Sequence, residues 1–288
     1  MTRLLPALLA VFLCLPAPAQ ENPKAKKKGA RAAQSAPSFT APLAQHLKLA
    51  DAALHWDCPD FVIGADLRLW AVAVEHDGAA DTLRLLSRVD GGWQQVAALS
   101  EPGVVHQPAL AADGARGVWA VWSQVDGREV MTLRARRHKG DDLEDEVVLA
   151  APEGAGCGFA DAGTDAAGRV WVVWQEIRPG ASQVWARHWS REGGAWSAPI
   201  RISAEEKGGH WEPRVAFTDT EGAWVVYDSS AGAEFNLRLA RAGLDGTVRH
   251  LELPSTPEYE ARASVAADGA GGHTDRKSTR LNSSHLVI

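Results

Sequence analysis

The sequence predicts an all-β protein, a β-propeller of four-stranded antiparallel blades, incomplete at about four blades plus the start of a fifth. Three observations predict it. First, Trp70, Trp119, Trp171 and Trp224 recur at separations of 49, 52 and 53 residues, and self-similarity at such a period marks a repeat architecture. Second, an aspartate precedes each of them by four to six positions (Asp66, Asp113, Asp165, Asp219), and Asp268 follows 49 residues after the last. Third, the runs Val118 to Trp122 and Val170 to Trp174 are apolar at every position. A strand with one wet face alternates, whereas one packed on both faces need not. A blade sandwiched between two neighbours meets that condition.

The best-kept unit runs from Gly158 to Ser203. Ala160 to Thr164 is a short first strand, Asp165-Ala166-Ala167-Gly168 a turn, and Val170 to Trp174 a β-prone second strand. Pro179-Gly180 turns the chain into a third strand, Gln183 to Trp189, and Gly193-Gly194 into a fourth, Trp196 to Ser203. Four antiparallel strands in about 45 residues make a propeller blade. First strands are expected near Pro59, Pro108, Ala160, Pro213 and Ser264. All 12 tryptophans fall at repeat positions and are assigned to the core. The glycine of the Asp-x-x-Gly turn supplies a positive φ and the aspartate bonds its own backbone, a structural role. The fifth unit calls for a tryptophan at 272 to 274, where Gly272-His273-Thr274 stand. His46 to Ala50 reads as a fourth strand without its first three, a strand that would close the last blade and remove open edges.

The termini are set aside. Residues 1–19 carry Arg3, a twelve-residue apolar run from Leu4 to Leu15 and Ala17-Pro18-Ala19, which read as a secretory signal peptide. Such a run is too short to span a bilayer, which takes about 20 residues, so an exported protein, periplasmic or extracellular and without membrane insertion, is expected. Residues 20–42 are rich in Pro, Ala, Ser and Lys and read as a disordered linker. Residues 43–274 hold the partial propeller. Residues 275–288 contain Asp275 to His285, a string that resembles a translated sequencing adapter, so this tail is taken as non-native and the natural chain is expected to continue.

Composition narrows the functions. The chain of 288 residues carries net charge −6, and between 43 and 274 its 34 carboxylates face 21 lysines and arginines, a net of −13. That balance argues against a nucleic-acid partner. There is no metal-binding spacing, phosphate loop or nucleophile elbow, so no metal or cofactor is expected. Beyond the signal peptide only Cys58 and Cys157 remain, and they open units two blades apart, too distant for a disulfide.

In four-stranded blades the entry to strand one and the exit from strand two share a face, and loops on a rigid scaffold carry binding. This places Trp56, Asp57, Glu75, His76, His106, Gln107, Gln124, Gln175, Glu176, Arg178, His210, Trp211, Glu212, Tyr227, Asp228, Tyr259, Glu260 and Arg262 around a funnel mouth. Aromatic, acidic and amide groups there suit a carbohydrate or peptide ligand. The same positions also read as solvated loop residues or hydrogen-bond partners between blades, and both readings stand at this stage.

The pattern Pro-x-x-Ala-x-Asp-x-x-Gly-x-x-Trp-x-x-Trp, in His106 to Trp122, Phe159 to Trp174 and Trp211 to Tyr227, resembles bacterial secreted propellers of the TolB and WD-repeat-like kind. The stretches Trp211 to Ala216 and Tyr259 to Ala266 resemble the N-terminal propeller of exported proteins with a C-terminal phosphoesterase-like domain of unknown function. That resemblance implies a non-catalytic recognition or scaffold module, partnered by its own C-terminal domain. The alternative is a sialidase-like propeller glycosidase. A sialidase needs three arginines clamping a carboxylate plus a Tyr and Glu pair, for which Arg178, Arg262, Tyr227 and Glu212 are the candidates, Arg214 being set inside a strand.

Overall fold

The computed structural model describes residues 55–125, 127, 129–204, 208–230, 235–253, 261–267 and 285–287. The expected signal peptide, linker and closing strand lie outside them. The described residues contain no helix, and they form four antiparallel sheets in sequence. Blade I is β1(His55–Ile63), β2(Leu69–His76), β3(Asp81–Val89) and β4(Gly92–Ala98). Blade II is β5(Val105–Ala112), β6(Gly117–Val125) and β7(Met131–Lys139), with β8(Asp142–Leu143) and β9(Val147–Ala150) both pairing with β7. Blade III is β10(Gly156–Thr164), β11(Val170–Arg178) and β12(Ala181–Ser190), with β13(Ala195–Trp196) and β14(Ile200–Arg201) on β12. Blade IV is β15(His210–Ala216), β16(Gly222–Ser229), β17(Asn236–Gly243) and β18(Val248–Leu251). A fifth first strand, β19(Ser264–Ala266), follows and pairs in parallel with β20(His285–Val287) rather than in a hairpin. The first strands lie side by side in the order β1, β5, β10, β15, β19.

Every second strand is buried on both sides, as the unbroken apolar runs require. Alternate side chains serve alternate neighbours. Trp70, Val72 and Val74 of β2 share a core with Leu110, Val118, Ala120 and Trp122 of blade II. Trp119 and Val121, on the other side of β6, pack on Val170, Val172 and Trp174 of blade III. Trp171 and Val173 then meet Ala223, Val225 and Tyr227 of blade IV, and Val226 meets Ala263 and Val265 of the fifth unit. No tryptophan is exposed, although Trp56, Trp93, Trp185, Trp196, Trp211 and Trp224 are only half-buried. Trp56 and Trp211 lie inside first strands rather than just before them.

The turn aspartates divide into two classes that the loose spacing did not separate. Asp113 and Asp165 stand six residues before the tryptophan; Asp113 Oδ1 accepts from Ala115 N and Gly117 N, and Asp165 Oδ1 from Ala167 N and Arg169 N. Gly168 closes the blade III turn at φ +76, where a side chain would be strained. Asp66 and Asp219 sit later in their turns and accept from Arg68 N and Glu221 N. The equivalents of Asp113 in blades I and IV are Gly64 and Thr218, and Thr218 Oγ1 accepts the Trp224 indole N–H at 3.0 Å. Burial pushes the Asp113 carboxyl up, but the Arg137 guanidinium and two backbone N–H groups outweigh it and hold it below the ordinary carboxylate value.

Polar bonds tie one blade to the next. Asp60 Oδ2 accepts from Leu110 N at 2.8 Å, and Asp161 Oδ2 accepts from Val215 N at 3.0 Å. Arg136 and Arg187, at matching places in β7 and β12, donate to the carbonyls of Leu99 and Leu149 in the preceding blade. Blade I differs on one side. Phe61 occupies the place that Leu110 holds in blade II, yet it is 43% exposed against 2%, and Ile63 is 64% exposed.

Two stability outcomes follow from this packing. Trp171→Ala, at a site with 0% exposure, should cost about 3–5 kcal/mol, measured by urea unfolding. Leu110→Ala should cost about 2–4 kcal/mol whereas Phe61→Ala, at the same place in the repeat but uncovered, should cost under about 1 kcal/mol.

Candidate functional site at the mouth of the blades

Register places the start of each first strand beside the end of its second strand. Trp56 lies opposite Glu75, His106 opposite Ser123, Cys157 opposite Glu176 and Trp211 opposite Asp228. These ends form the mouth. Within each first strand the register then slips by one residue, a β-bulge, between Asp57 and Asp60, His106 and Ala109, Gly158 and Asp161, and Trp211 and Arg214. At every slip one non-glycine residue adopts a left-handed backbone: Cys58 (φ 50), Gln107 (φ 41), Phe159 (φ 52), Glu212 (φ 44) and, in the fifth unit, Arg262 (φ 61). Each precedes Pro59, Pro108, Ala160, Pro213 or Ala263. Proline disfavours the right-handed helical region for the residue before it, and the bulge needs a residue that turns the strand. Such a conformation costs on the order of 1–3 kcal/mol, supplied by the surrounding sheet.

Three of these bulges converge. Cys58, Gln107 and Phe159, with Pro59, Pro108 and Ala160 beside them, Asp60 and Arg214, line a pocket of about 180 Å³. Gln107 Oε1 accepts from Phe159 N at 3.2 Å, linking blades II and III across it. Arg214, set aside as a strand residue, reaches this pocket because the bulge reverses which side of β15 it faces. Its Nη1 donates to the Pro213 carbonyl at 2.8 Å.

Many of the other candidates are engaged within the scaffold. Glu75 is 8% exposed and takes Arg84 Nε and Nη2 at 3.0 and 2.6 Å. Gln124, 6% exposed, accepts from Trp122 Nε1 and donates to the Glu101 carbonyl. Glu176 accepts from Arg178 Nε at 2.8 Å, and Arg178 Nη1 donates to the Glu153 carbonyl. Gln175 and His210 are buried. His76 Nδ1 lies 2.8 Å from Asp81 Oδ1. Tyr227 sits in the core between blades III and IV with 1% exposure, its ring edge against His210, because strand alternation turns it away from the mouth. Trp56 packs half-buried on Ala71 and Ala73. Asp57 is exposed and accepts from Cys58 N, and His106 is exposed. Tyr259 and Glu260 lie outside the described residues.

Blade IV carries the perturbed charge. Asp228, 6% exposed, accepts the Arg262 backbone N–H on both oxygens, at 2.9 and 2.8 Å. Burial pushes its carboxyl up to about 6, with the Glu212 carboxylate adding to the rise and the N–H groups of Arg262 and Ala263 opposing it. Beside it the Trp211 and Phe235 rings stack at 5.8 Å and 20°. The Trp211 indole lies over Gly209, where a Cβ would collide with it. Of the sialidase-type candidates, none of Arg178, Glu212, Tyr227 or Arg262 lines the pocket at the bulges. Cys58 and Cys157 are both free, and burial pushes the Cys157 thiol up to about 12. Among the described residues no group of His, Cys, Asp and Glu is placed to hold a metal ion, and no helix is long and apolar enough to cross a membrane.

Cys58, Phe159, Arg214 and Phe235 escaped the sequence reading. Only the first two had a signal, the position just before Pro59 and Ala160 in the repeat.

No protein-family pattern matches the chain, and no curated protein matches it. Similar solved structures include a polysaccharide lyase of family 25, an ulvan lyase, at TM-score 0.51 and 9% identity, covering 67% of this chain and 54% of that one. A thermostable family-43 glycoside hydrolase matches at TM-score 0.46 and 11% identity, over 73% of this chain and 75% of that one. A neuraminidase-like protein of subtype N10 from A/little yellow-shouldered bat/Guatemala/060/2010 matches at TM-score 0.46 and 9% identity, over 70% and 60%. At this identity the likeness to the lyase speaks to the fold, and the chain is a β-propeller of four-stranded antiparallel blades.

Asp228 sets a pH dependence. The folded protein keeps a proton that the unfolded chain releases near 3.8, so the contribution of Asp228 to stability falls as pH rises from about 4 to about 6 and is level above, against the opposite slope from His138 and His188, which burial holds below the ordinary histidine value. Its size is on the order of 3 kcal/mol. Asp228→Asn should lack this fall, read from urea unfolding of both proteins at pH 4.5 and 7.5.

Proposed function

We propose that this chain is a carbohydrate-recognition module, an arc of a larger exported propeller that presents its ligand surface at the mouth. One observation carries the reading: the same left-handed bulge recurs in all four blades, but the residue on it changes from Cys58 to Gln107, Phe159 and Glu212, with left-handed Arg262 at the matching place in the fifth unit. A scaffold that repeats its backbone while varying the chemistry it displays is suited to recognition. The stacked Trp211 and Phe235 rings offer a flat apolar face for a sugar ring, with Glu212 next in sequence to Trp211. The uncovered Phe61 and Ile63 support a longer propeller whose remaining blades pack there. The resemblance to exported propellers with a phosphoesterase-like domain supplies the natural partner, a hydrolase domain of the same polypeptide.

A glycosidase is the second reading, favoured by a buried carboxyl, Asp228, held protonated to about pH 6 beside Glu212. Against it, both Asp228 oxygens take the Arg262 N–H and Tyr227 lies in the core.

Isothermal titration against a panel of soluble plant and algal polysaccharides tests the recognition reading. Binding is expected for at least one glycan, weakened tenfold or more by Trp211→Ala, with no release of reducing ends. Binding indifferent to Trp211→Ala would overturn the mouth as the site, and turnover abolished by Asp228→Asn would establish the glycosidase.

A further inference from the structure

The repeat supplies its own comparison on the end of the blades opposite the mouth, where two successive clefts lie between neighbouring blades. The cleft between blades I and II, about 400 Å³, is lined by Trp70 with Arg68, Arg116, Asp66 and Asp141, two cations against two carboxylates. The cleft between blades II and III, about 370 Å³, is built differently. Three indoles wall it: Trp119 lies 5.0 Å from Trp196 at 74° and 5.5 Å from Trp189 at 59°. Arg137, Lys139 and Arg191 line it against one carboxylate, Glu144. Arg191 stands where Gly140 stands in the first cleft.

The charges are not equally committed. Arg137 is consumed by the fold: it pairs with Asp113 and with Glu144, and its guanidinium lies 4.5 Å over the Trp189 ring. Arg191 gives one Nη2 bond to the Asp113 carbonyl at 3.1 Å and is otherwise exposed. Lys139 is exposed and makes no ion pair among the described residues. With Asp113 and Glu144 both answered by Arg137, the cleft keeps a surplus of one positive charge, and its two uncommitted cations stand beside half-buried Trp196 in a propeller whose net charge is −13. Trp119 Nε1 and Trp196 Nε1 are buried without an acceptor among the described residues.

We propose that this cleft is a second ligand site, distinct from the mouth, that holds a negatively charged sugar ring, with the ring packed on Trp196 and its carboxylate or sulfate facing Lys139 and Arg191. Each part of the ligand answers a part of the site. An indole wall takes the apolar face of a pyranose ring. Two solvent-facing cations, in a cleft that partly excludes water, take an anionic substituent better than isolated surface cations do. The acidic surround repels a polyanion elsewhere, so binding is confined to this cleft and weakens with salt.

The test is titration calorimetry on the whole chain at low ionic strength with tetragalacturonate, a neutral galactan tetramer and sodium sulfate as probes. Tetragalacturonate is expected to bind, and binding should weaken tenfold or more in Lys139→Glu and in the Lys139→Ala/Arg191→Ala double variant. Both positions are exposed, and unchanged thermal unfolding of Lys139→Glu checks that the fold is intact. Trp211→Ala, at the mouth, should leave this binding as it is, which separates this site from the one proposed above. No heat with tetragalacturonate at millimolar concentration, equal binding by Lys139→Glu, or equal binding of the neutral tetramer would overturn the proposal. Sulfate binding as tightly as the tetramer would overturn the sugar half of it and leave a simple anion site.

Discussion

The structure depends on the two-sided burial of each second strand. A sheet packed on both faces cannot alternate apolar and polar residues, so β2, β6, β11 and β16 present unbroken apolar runs, one set of side chains for each neighbour. Large aromatic side chains are the efficient filling for such an interface, because a twisted sheet diverges from its neighbour and indoles bridge the widening gap. Trp70, Trp119 and Trp171 start their strands where that gap must be filled, packing on His138, on Trp189 and Trp196, and on the Ala223 side of blade IV respectively.

That packing leaves the polar groups with two tasks. Some lock the blades in register: Asp60 and Asp161 each reach across to a backbone N–H of the next first strand, and Arg136 and Arg187 reach back to a carbonyl of the previous blade. Asp60 and Asp161 are buried in this role, so they resemble site residues in sequence while acting as fasteners. Glu75 and Glu176 are likewise held within the scaffold, by arginines of their own blades, and Gln124 by Trp122 and the Glu101 carbonyl. Others, held by the left-handed bulges, are offered to solvent or to a shared pocket, and the strain of the bulge is borne by the sheet on either side of it.

The two ends of the blades therefore differ in kind. At the mouth the backbone is irregular and the displayed residues vary from blade to blade. At the opposite end the turns are tight and of two kinds, with Asp113 and Asp165 bonding theirs in blades II and III where Gly64 and Thr218 stand in blades I and IV, and function there depends on what the clefts between blades collect. Between blades I and II the charges balance; between II and III they do not, and the indoles gather there.

How much of this was legible in the sequence follows from which interactions are local. Periodicity of Trp and Asp reported the blades, and unbroken apolar runs reported their sandwiching, because both are imposed on each strand by its immediate surroundings. The turn glycines and aspartates were legible for the same reason: an Asp bonding backbone two and four residues on needs nothing from the rest of the chain. The direction of individual mouth side chains was not legible. A one-residue slip at the bulge exchanges the two faces of a strand, so Arg214 of β15 lines a pocket, while plain alternation along β16 turns Tyr227, among the mouth candidates by sequence, into the core. Nor could spacing reveal that Glu75 is answered by Arg84, or that Arg137 is claimed by Asp113 while Lys139 is left to solvent. The sequence by itself determined the blade, since a blade is built from neighbours along the chain; only the tertiary structure decided which charges are shared between blades and which face outward, because that depends on contacts between residues about fifty positions apart.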